Sequence, residues 1–131
     1  MNAEYQDFKY KELTEQVLKV FYRVYNKLGY GFWERVYENA MMIELKKEGI
    51  PAVCQSAIKV FYDGEVVGEY CVDILVDRKL IVEIKAARAL AKEHEAQLLN
   101  YLKATDIEIG LLLNFGTKPE VRRKAFNNSR K

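Results

Sequence analysis

The sequence predicts an α/β (α+β) fold: a mixed sheet flanked by helices, in the order helix–helix–strand–strand–strand–helix–strand. Three observations carry that reading. Two stretches with three- and four-residue apolar spacing precede any strand-like segment. The middle of the chain, residues 52–85, is rich in β-branched residues and broken by short turn signals. A further helical stripe then separates these strands from a nearly continuous apolar run near the C-terminal end. At 131 residues the chain is read as one domain, 1–131, with a core of about 14–118 and a basic tail, 119–131.

The first helix follows from Val17, Leu18, Phe21, Val24, Tyr25 and Leu28, which form one apolar stripe. It begins between Asp7 and Thr14 and stops at Gly29, a natural C-terminal cap. A Gly29-Tyr30-Gly31 turn leads to a second helix, roughly Phe32 to Glu48, closed by Gly49, Ile50 and Pro51. Residues 52–76 read as two strands around Asp63-Gly64, a strong hairpin turn, with a bulge expected at Gly68. The third helix, Leu90 to Ala104, carries Leu98 and Leu102 toward the sheet. Beside them runs a narrow stripe of Leu90, His94, Gln97 and Tyr101. For His94 a structural role and a site role both stand. The last strand spans Ile107 to Phe115 and is apolar enough to be covered on both faces.

The chemistry concentrates between Asp73 and Lys85. Apolar runs flank Asp77-Arg78-Lys79, which reads as a hairpin with a three-residue loop. That register sets Asp73 opposite Glu83 and puts Lys85 on the same face; a two-residue loop would send Asp73 to the other face. Two carboxylates about 4 Å apart repel by roughly 4 kcal/mol at an effective dielectric near 20. Hard oxygen ligands from neighbouring strands suit Mg2+ or Mn2+, and such an ion beside a lysine suits phosphodiester hydrolysis. The plainer reading is an edge hairpin with solvated charges. On the second helix Glu34 lies within about 20° of the apolar Met41 and Leu45 positions, with Glu38 only about 40° away. A first-turn Glu is also favoured there by the helix dipole alone.

Composition narrows the alternatives. A net charge of +2 does not by itself imply a nucleic-acid partner. Cys54 and Cys71, with one histidine and no CxxC, argue against a thiolate zinc site. No apolar leader occurs in the first thirteen residues and no run approaches membrane-spanning length, so a reduced cytoplasm and no membrane are expected. Arg122, Arg123, Lys124, Arg130 and Lys131 face one acid, Glu120, in the tail. That tail reads either as a solubilising, frayed end or as a handle for phosphates.

Gly31-Phe32-Trp33-Glu34-Arg35-Val36-Tyr37 resembles the motif of the GxxExxY proteins, within the PD-(D/E)XK nuclease superfamily. Asp73 followed by Glu83-Ile84-Lys85 resembles the D…ExK signature, and His94 to Leu102 includes a QxxxY pattern at Gln97 and Tyr101. Asn114-Phe115-Gly116 is similar to the end of the family's last strand. The resemblance covers roughly residues 14–118 and implies a PD-(D/E)XK nuclease-like core. It implies Mg2+ or Mn2+ held by Asp73, Glu83 and the Ile84 carbonyl, with Glu34 as an added ligand or water binder. Lys85 would orient water or stabilise phosphate charge, and Gln97 and Tyr101 would position the site or the nucleic-acid backbone.

Two departures stand out: Val72 replaces the proline of the superfamily name, and Cys71 stands where relatives often carry Arg. Arg35, Arg88 and Lys92 offer compensating charge for phosphate contact, with Arg122 and Arg123 in the tail. The expected function is a metal-dependent nuclease acting on nucleic acid, DNA ahead of RNA, with a homodimer or a partner protein holding long substrates. The alternative is a non-catalytic nucleic-acid-binding or assembly module on the same scaffold. A glycosidase reading of the carboxylate pair lacks an aromatic substrate groove.

Overall fold

The computed structural model describes residues 9–131. The first eight residues, part of the stretch without an apolar leader, lie outside the described residues. Helix α1 (Lys11–Leu28) and helix α2 (Glu34–Lys47) come first. Strands β1 (Ala52–Tyr62), β2 (Glu65–Val76) and β3 (Leu80–Lys85) follow, then helix α3 (Lys92–Ala104) and strands β4 (Ile109–Phe115) and β5 (Pro119–Ala125). The five strands form one sheet in chain order. Among the described residues only the β3–β4 pair is parallel, because α3 carries the chain across the sheet between them.

The helix stops follow from backbone chemistry. Gly29 has φ +67 and its N–H donates to Tyr25 O at 2.8 Å. After α2, Gly49 adopts φ +71; its N–H donates to Lys46 O and that of Ile50 to Leu45 O. This is the Schellman pattern that a Gly followed by an apolar residue favours.

Two apolar layers sandwich the sheet. On one side Val17, Phe21 and Val24 of α1 and Tyr37, Met41 and Leu45 of α2 pack on Ile74, Val82, Ile84 and Leu113. On the other, Leu98, Tyr101 and Leu102 of α3 pack on Ile58, Val72, Ile81 and Leu112. Every residue of β4 is buried, as expected of a strand covered on both faces.

The tail expectation is corrected. Residues 119–125 are not a frayed end: they pair antiparallel with β4, from Phe115↔Pro119 to Ile109↔Ala125. Val121 and Ala125 pack against the core, while charged residues occupy much of the remaining strand. Lys and Arg on an edge strand discourage further strand addition. Those same charges hide the strand from an apolar-pattern reading.

Both hairpin turns match their sequence signals. Asp63 and Gly64 have φ +50 and +80, as a two-residue type I′ turn requires. The bulge is shifted by one residue: Val60 pairs Gly68 and Phe61 pairs Val66, which leaves Val67 as the extra residue. In the second hairpin Val76 pairs Leu80, confirming the three-residue loop Asp77-Arg78-Lys79.

Candidate active site

Register puts Asp73 opposite Glu83, but the ladder has already ended. The β2–β3 pairs run Val76↔Leu80, Leu75↔Ile81 and Ile74↔Val82 and go no further. Beyond that point side chains take over from the backbone. Asp73 N–H donates to Glu83 Oε2 at 2.7 Å, and Ile84 N–H donates to Asp73 Oδ2 at 2.7 Å. Each carboxylate therefore spends one oxygen bridging the gap between the strands. Neither Asp73 Oδ1 nor Glu83 Oε1 accepts a hydrogen bond from a described residue.

A backbone irregularity accompanies this gap. Gln55, which register sets opposite Asp73, is absent from the β1–β2 pairs and adopts φ +52. Left-handed backbone at a non-glycine residue is uncommon and carries strain. Across the irregularity the strand faces exchange: Ile74 and Val76 pack with α1 and α2, whereas Val72 packs with α3. An unbroken strand would keep Val72 and Ile74 on one face. The Gln55 side chain donates to the buried Glu38 at 2.6 Å, and Arg35 lies 3.4 Å from the same carboxylate. Glu38 thus ties α2 to the kinked part of β1, a role that helical periodicity could not separate from that of Glu34.

The electrostatics are those of a crowded acid pair. Glu83 is 4% exposed, and burial, reinforced by the charge of Asp73, pushes its carboxyl up to about 8. Its hydrogen bond from Asp73 N–H and the charge of Lys85 act in the opposite direction. Glu34, exposed in the first turn of α2, adds the smallest of these influences and makes no hydrogen bond or ion pair there. Lys85 forms no ion pair with either carboxylate among the described residues; its Nζ makes a long 3.5 Å contact to Gln97 Oε1. Tyr101 is pushed up to about 12, first by burial and then by the charges of Glu83 and Asp73, so its hydroxyl keeps its proton. Asp73, Glu83, Lys85, Gln97 and Tyr101 are thereby gathered where α3 crosses the open end of the β2–β3 pair.

Other expected residues lie apart from this cluster or serve the scaffold. Arg35 is engaged with Glu38. Arg88 and Lys92 are exposed on the loop after β3 and in the first turn of α3. Arg122 contacts Glu120 at 3.8 Å, and Arg123 donates to Lys9 O at 3.3 Å; both sit on β5, beyond β4 from the carboxylates. His94 accepts the Ala91 N–H on Nδ1 at 3.1 Å, an N-terminal cap that α3 otherwise lacks. Tyr37 donates to Gly29 O at 2.7 Å, accepts from Phe32 N–H and stacks on Phe115 at 4.2 Å. The tyrosine of the GxxExxY stretch therefore pins the loop that delivers Glu34. Asn114 clamps the loop after β3, accepting from Ala87 N–H and donating to Ala87 O, both at 2.9 Å.

Among the described residues no three His, Cys, Asp or Glu side chains cluster tightly enough to enclose an ion. That does not exclude a hard cation: Mg2+ keeps several waters and is commonly bound through one or two carboxylates. The donor set fits such an ion. Two carboxylates each retain one oxygen without a protein partner among the described residues, and a cation there would offset both the burial and the Asp73 charge that lift Glu83.

The comparisons agree with this architecture. A solved structure titled "Crystal structure of SSO0001" superposes with a TM-score of 0.59 over 71% of this chain and 50% of that chain, at 18% identity. This likeness bears on the fold alone, and the chain spans about half the length of that protein. No curated protein matches the sequence. The profile of the PD-(D/E)XK nuclease superfamily matches residues 11–124, a span that holds α1 through most of β5 and the whole Asp73–Glu83–Lys85 arrangement. With that match over most of its length, the chain belongs to the PD-(D/E)XK nuclease superfamily.

Proposed function

We propose that this protein is a Mg2+- or Mn2+-dependent nuclease of the GxxExxY group that hydrolyses phosphodiester bonds in nucleic acid, DNA ahead of RNA. The observation that carries the reading is the cross-braced pair of Asp73 and Glu83, each with one oxygen unused, beside a lysine that neither carboxylate holds. Asp73, Glu83 and the Ile84 carbonyl would hold the ion, with Glu34 as an added ligand or water binder. When bound, the ion supplies charge neutralisation at the phosphate and acidifies a water.

Lys85 acts on the water or on phosphate charge, since its ammonium is not committed to an ion pair. Gln97 steers Lys85 through their contact. Tyr101, held protonated, donates to the backbone of the substrate. Arg35, Arg88 and Lys92 supply phosphate contacts around the site, and Arg122 and Arg123 contacts further out. The protein works in the cytoplasm, with a second copy or a partner protein extending its grip on long substrates. No helix among the described residues is long and apolar enough to cross a membrane.

The test is digestion of linear, circular, single-stranded and RNA substrates with Mg2+ or Mn2+, against EDTA and against Lys85→Ala. Metal-dependent cleavage lost in Lys85→Ala supports the reading. Binding of nucleic acid with no cleavage of any substrate would replace it with a non-catalytic binding module.

A further inference from the structure

Beside the carboxylates, between the far half of the β1–β2 hairpin and α3, lies an open cavity of ≈ 780 Å3. Its volume falls in the range of small-ligand sites, and its walls are mostly apolar with a few polar groups. Phe61 and Tyr70 line it from the hairpin, and Gln97, Asn100 and Tyr101 from α3. Phe61 is 60% exposed and Tyr70 is 50% exposed, so two aromatic rings stand at the cavity with much of their surface in water. The Tyr70 ring lies 5.7 Å from that of Tyr101, tilted by 51°.

The cavity and the carboxylate cluster share two residues. Gln97 contacts Lys85, and Tyr101 feels the charges of Glu83 and Asp73. A ligand in the cavity would therefore be a near neighbour of whatever is bound at the carboxylates. Charge also constrains the occupant. Glu93 and Lys103 both line the cavity and cancel, so it offers no net attraction to a phosphate backbone. Aromatic faces, side-chain amides and balanced charge suit a planar, neutral, hydrogen-bonding group.

We infer that this cavity receives an unpaired nucleobase of the substrate strand, stacked on Tyr70 and Phe61 and reached by the Asn100 amide. The inference rests on the nuclease reading of the neighbouring carboxylates and adds a substrate class: a single strand, or a strand locally unpaired beside the reacting phosphate. A duplex keeps its bases stacked inside and has nothing to offer this cavity.

The experiment measures binding apart from cleavage. Fluorescence anisotropy in EDTA would follow a short single-stranded DNA, the same strand with one abasic position moved along it, and the corresponding duplex. Wild type should bind the single strand about tenfold more tightly than the duplex, and one abasic position should weaken binding about tenfold. Tyr70→Ala should erase the abasic effect and Tyr70→Trp should retain it; Tyr70 is exposed, and a thermal melt checks the fold. Equal affinity for duplex and single strand would overturn the inference, as would an abasic effect unchanged in Tyr70→Ala. So would self-association in sedimentation that Phe61→Ala abolishes while oligonucleotide affinity stays the same, since the aromatic rings would then face a second copy. Cleavage by wild type together with an abasic effect that ignores Tyr70 would sink the base site and leave the nuclease intact. A Tyr70-dependent abasic effect without cleavage of any substrate would do the reverse.

Discussion

Glu83→Gln tests the acid pair through stability alone. In the folded protein the Glu83 carboxyl is pushed from 4.5 up to about 8 by burial and by Asp73. Below pH 4.5 it is neutral in both folded and unfolded chains. As pH rises, the unfolded chain loses this proton near 4.5 while the folded chain holds it to about 8. Stability contributed by the neutral form therefore falls across that window and levels off above it. At ~1.4 kcal/mol per unit the full loss would be roughly 5 kcal/mol, and water entry reduces it to about 2–4 kcal/mol. Glutamine keeps the shape and the acceptor for Asp73 N–H but has no proton to lose. Melting curves in EDTA should show the mutant close to wild type at pH 5 and ahead of it at pH 9, by on the order of 10 °C. Mn2+ at about 100 times its dissociation constant should restore roughly 2.7 kcal/mol to wild type and little to the mutant. At one fixed Mn2+ concentration the restoration should be larger at pH 8 than at pH 6, because the proton and the ion compete for Glu83. Parallel melting profiles of the two proteins across pH in EDTA would refute the reasoning.

Lys85→Ala should keep the Mn2+ stabilisation yet lose most cleavage, on the order of a hundredfold, whereas Asp73→Asn should lose both; paired melts and digestion rates separate them. Tyr37→Phe deletes the hydroxyl that holds Gly29 O and Phe32 N–H, and should cost about 1–2 kcal/mol by urea denaturation. Gly116→Ala would set a Cβ 2.3 Å from Ala87 O, a backbone atom, whereas in Gly110→Ala the nearest atom is Leu98 Cδ1 at 2.6 Å. The first should cost more, by about 1–2 kcal/mol, since a leucine tip rotates more readily than a peptide moves; equal urea midpoints would contradict this.

Much of the site was legible because short loops fix register. A three-residue Asp77-Arg78-Lys79 loop sets Asp73 opposite Glu83 and a two-residue loop would not; the observed pairs, from Val76↔Leu80 to Ile74↔Val82, have the three-residue loop. The strand-face exchange at Gln55 and Asp73 was not legible, since period-two reasoning assumes an unbroken pleat and a glutamine such as Gln55 does not signal left-handed backbone. Strand β5 was hidden because it sits at an edge, where the consecutive Arg122, Arg123 and Lys124 are compatible with pairing but look like a tail. Glu38 and Glu34 lie too close on the helical wheel for pattern to divide their work; the partner Gln55, on a kink, decides it. Asn114 and Gly116 stood out only by resemblance. Their reason is local: an amide that clamps Ala87 and a residue whose Cβ would collide with that same carbonyl.

The two carboxylates at the centre have a divided task, and this bears on how substitutions there are read. Where β2 leaves β3, two partly buried backbone N–H groups, of Asp73 and Ile84, lack strand partners and must find acceptors. One oxygen of Glu83 and one of Asp73 meet that need. The remaining oxygen on each is what a cation could use. An alanine at either position removes both oxygens, orphaning an N–H at a cost of about 1–3 kcal/mol. Loss of activity in an alanine variant therefore mixes a failed strand junction with a failed site. The amides keep an acceptor for the backbone while removing the charge, so Asp73→Asn and Glu83→Gln isolate the electrostatic part. On this account the sheet's local defect and its candidate chemistry have one origin. The open end of the hairpin calls for side-chain acceptors, carboxylates supply them, and one oxygen on each is left without a protein partner among the described residues.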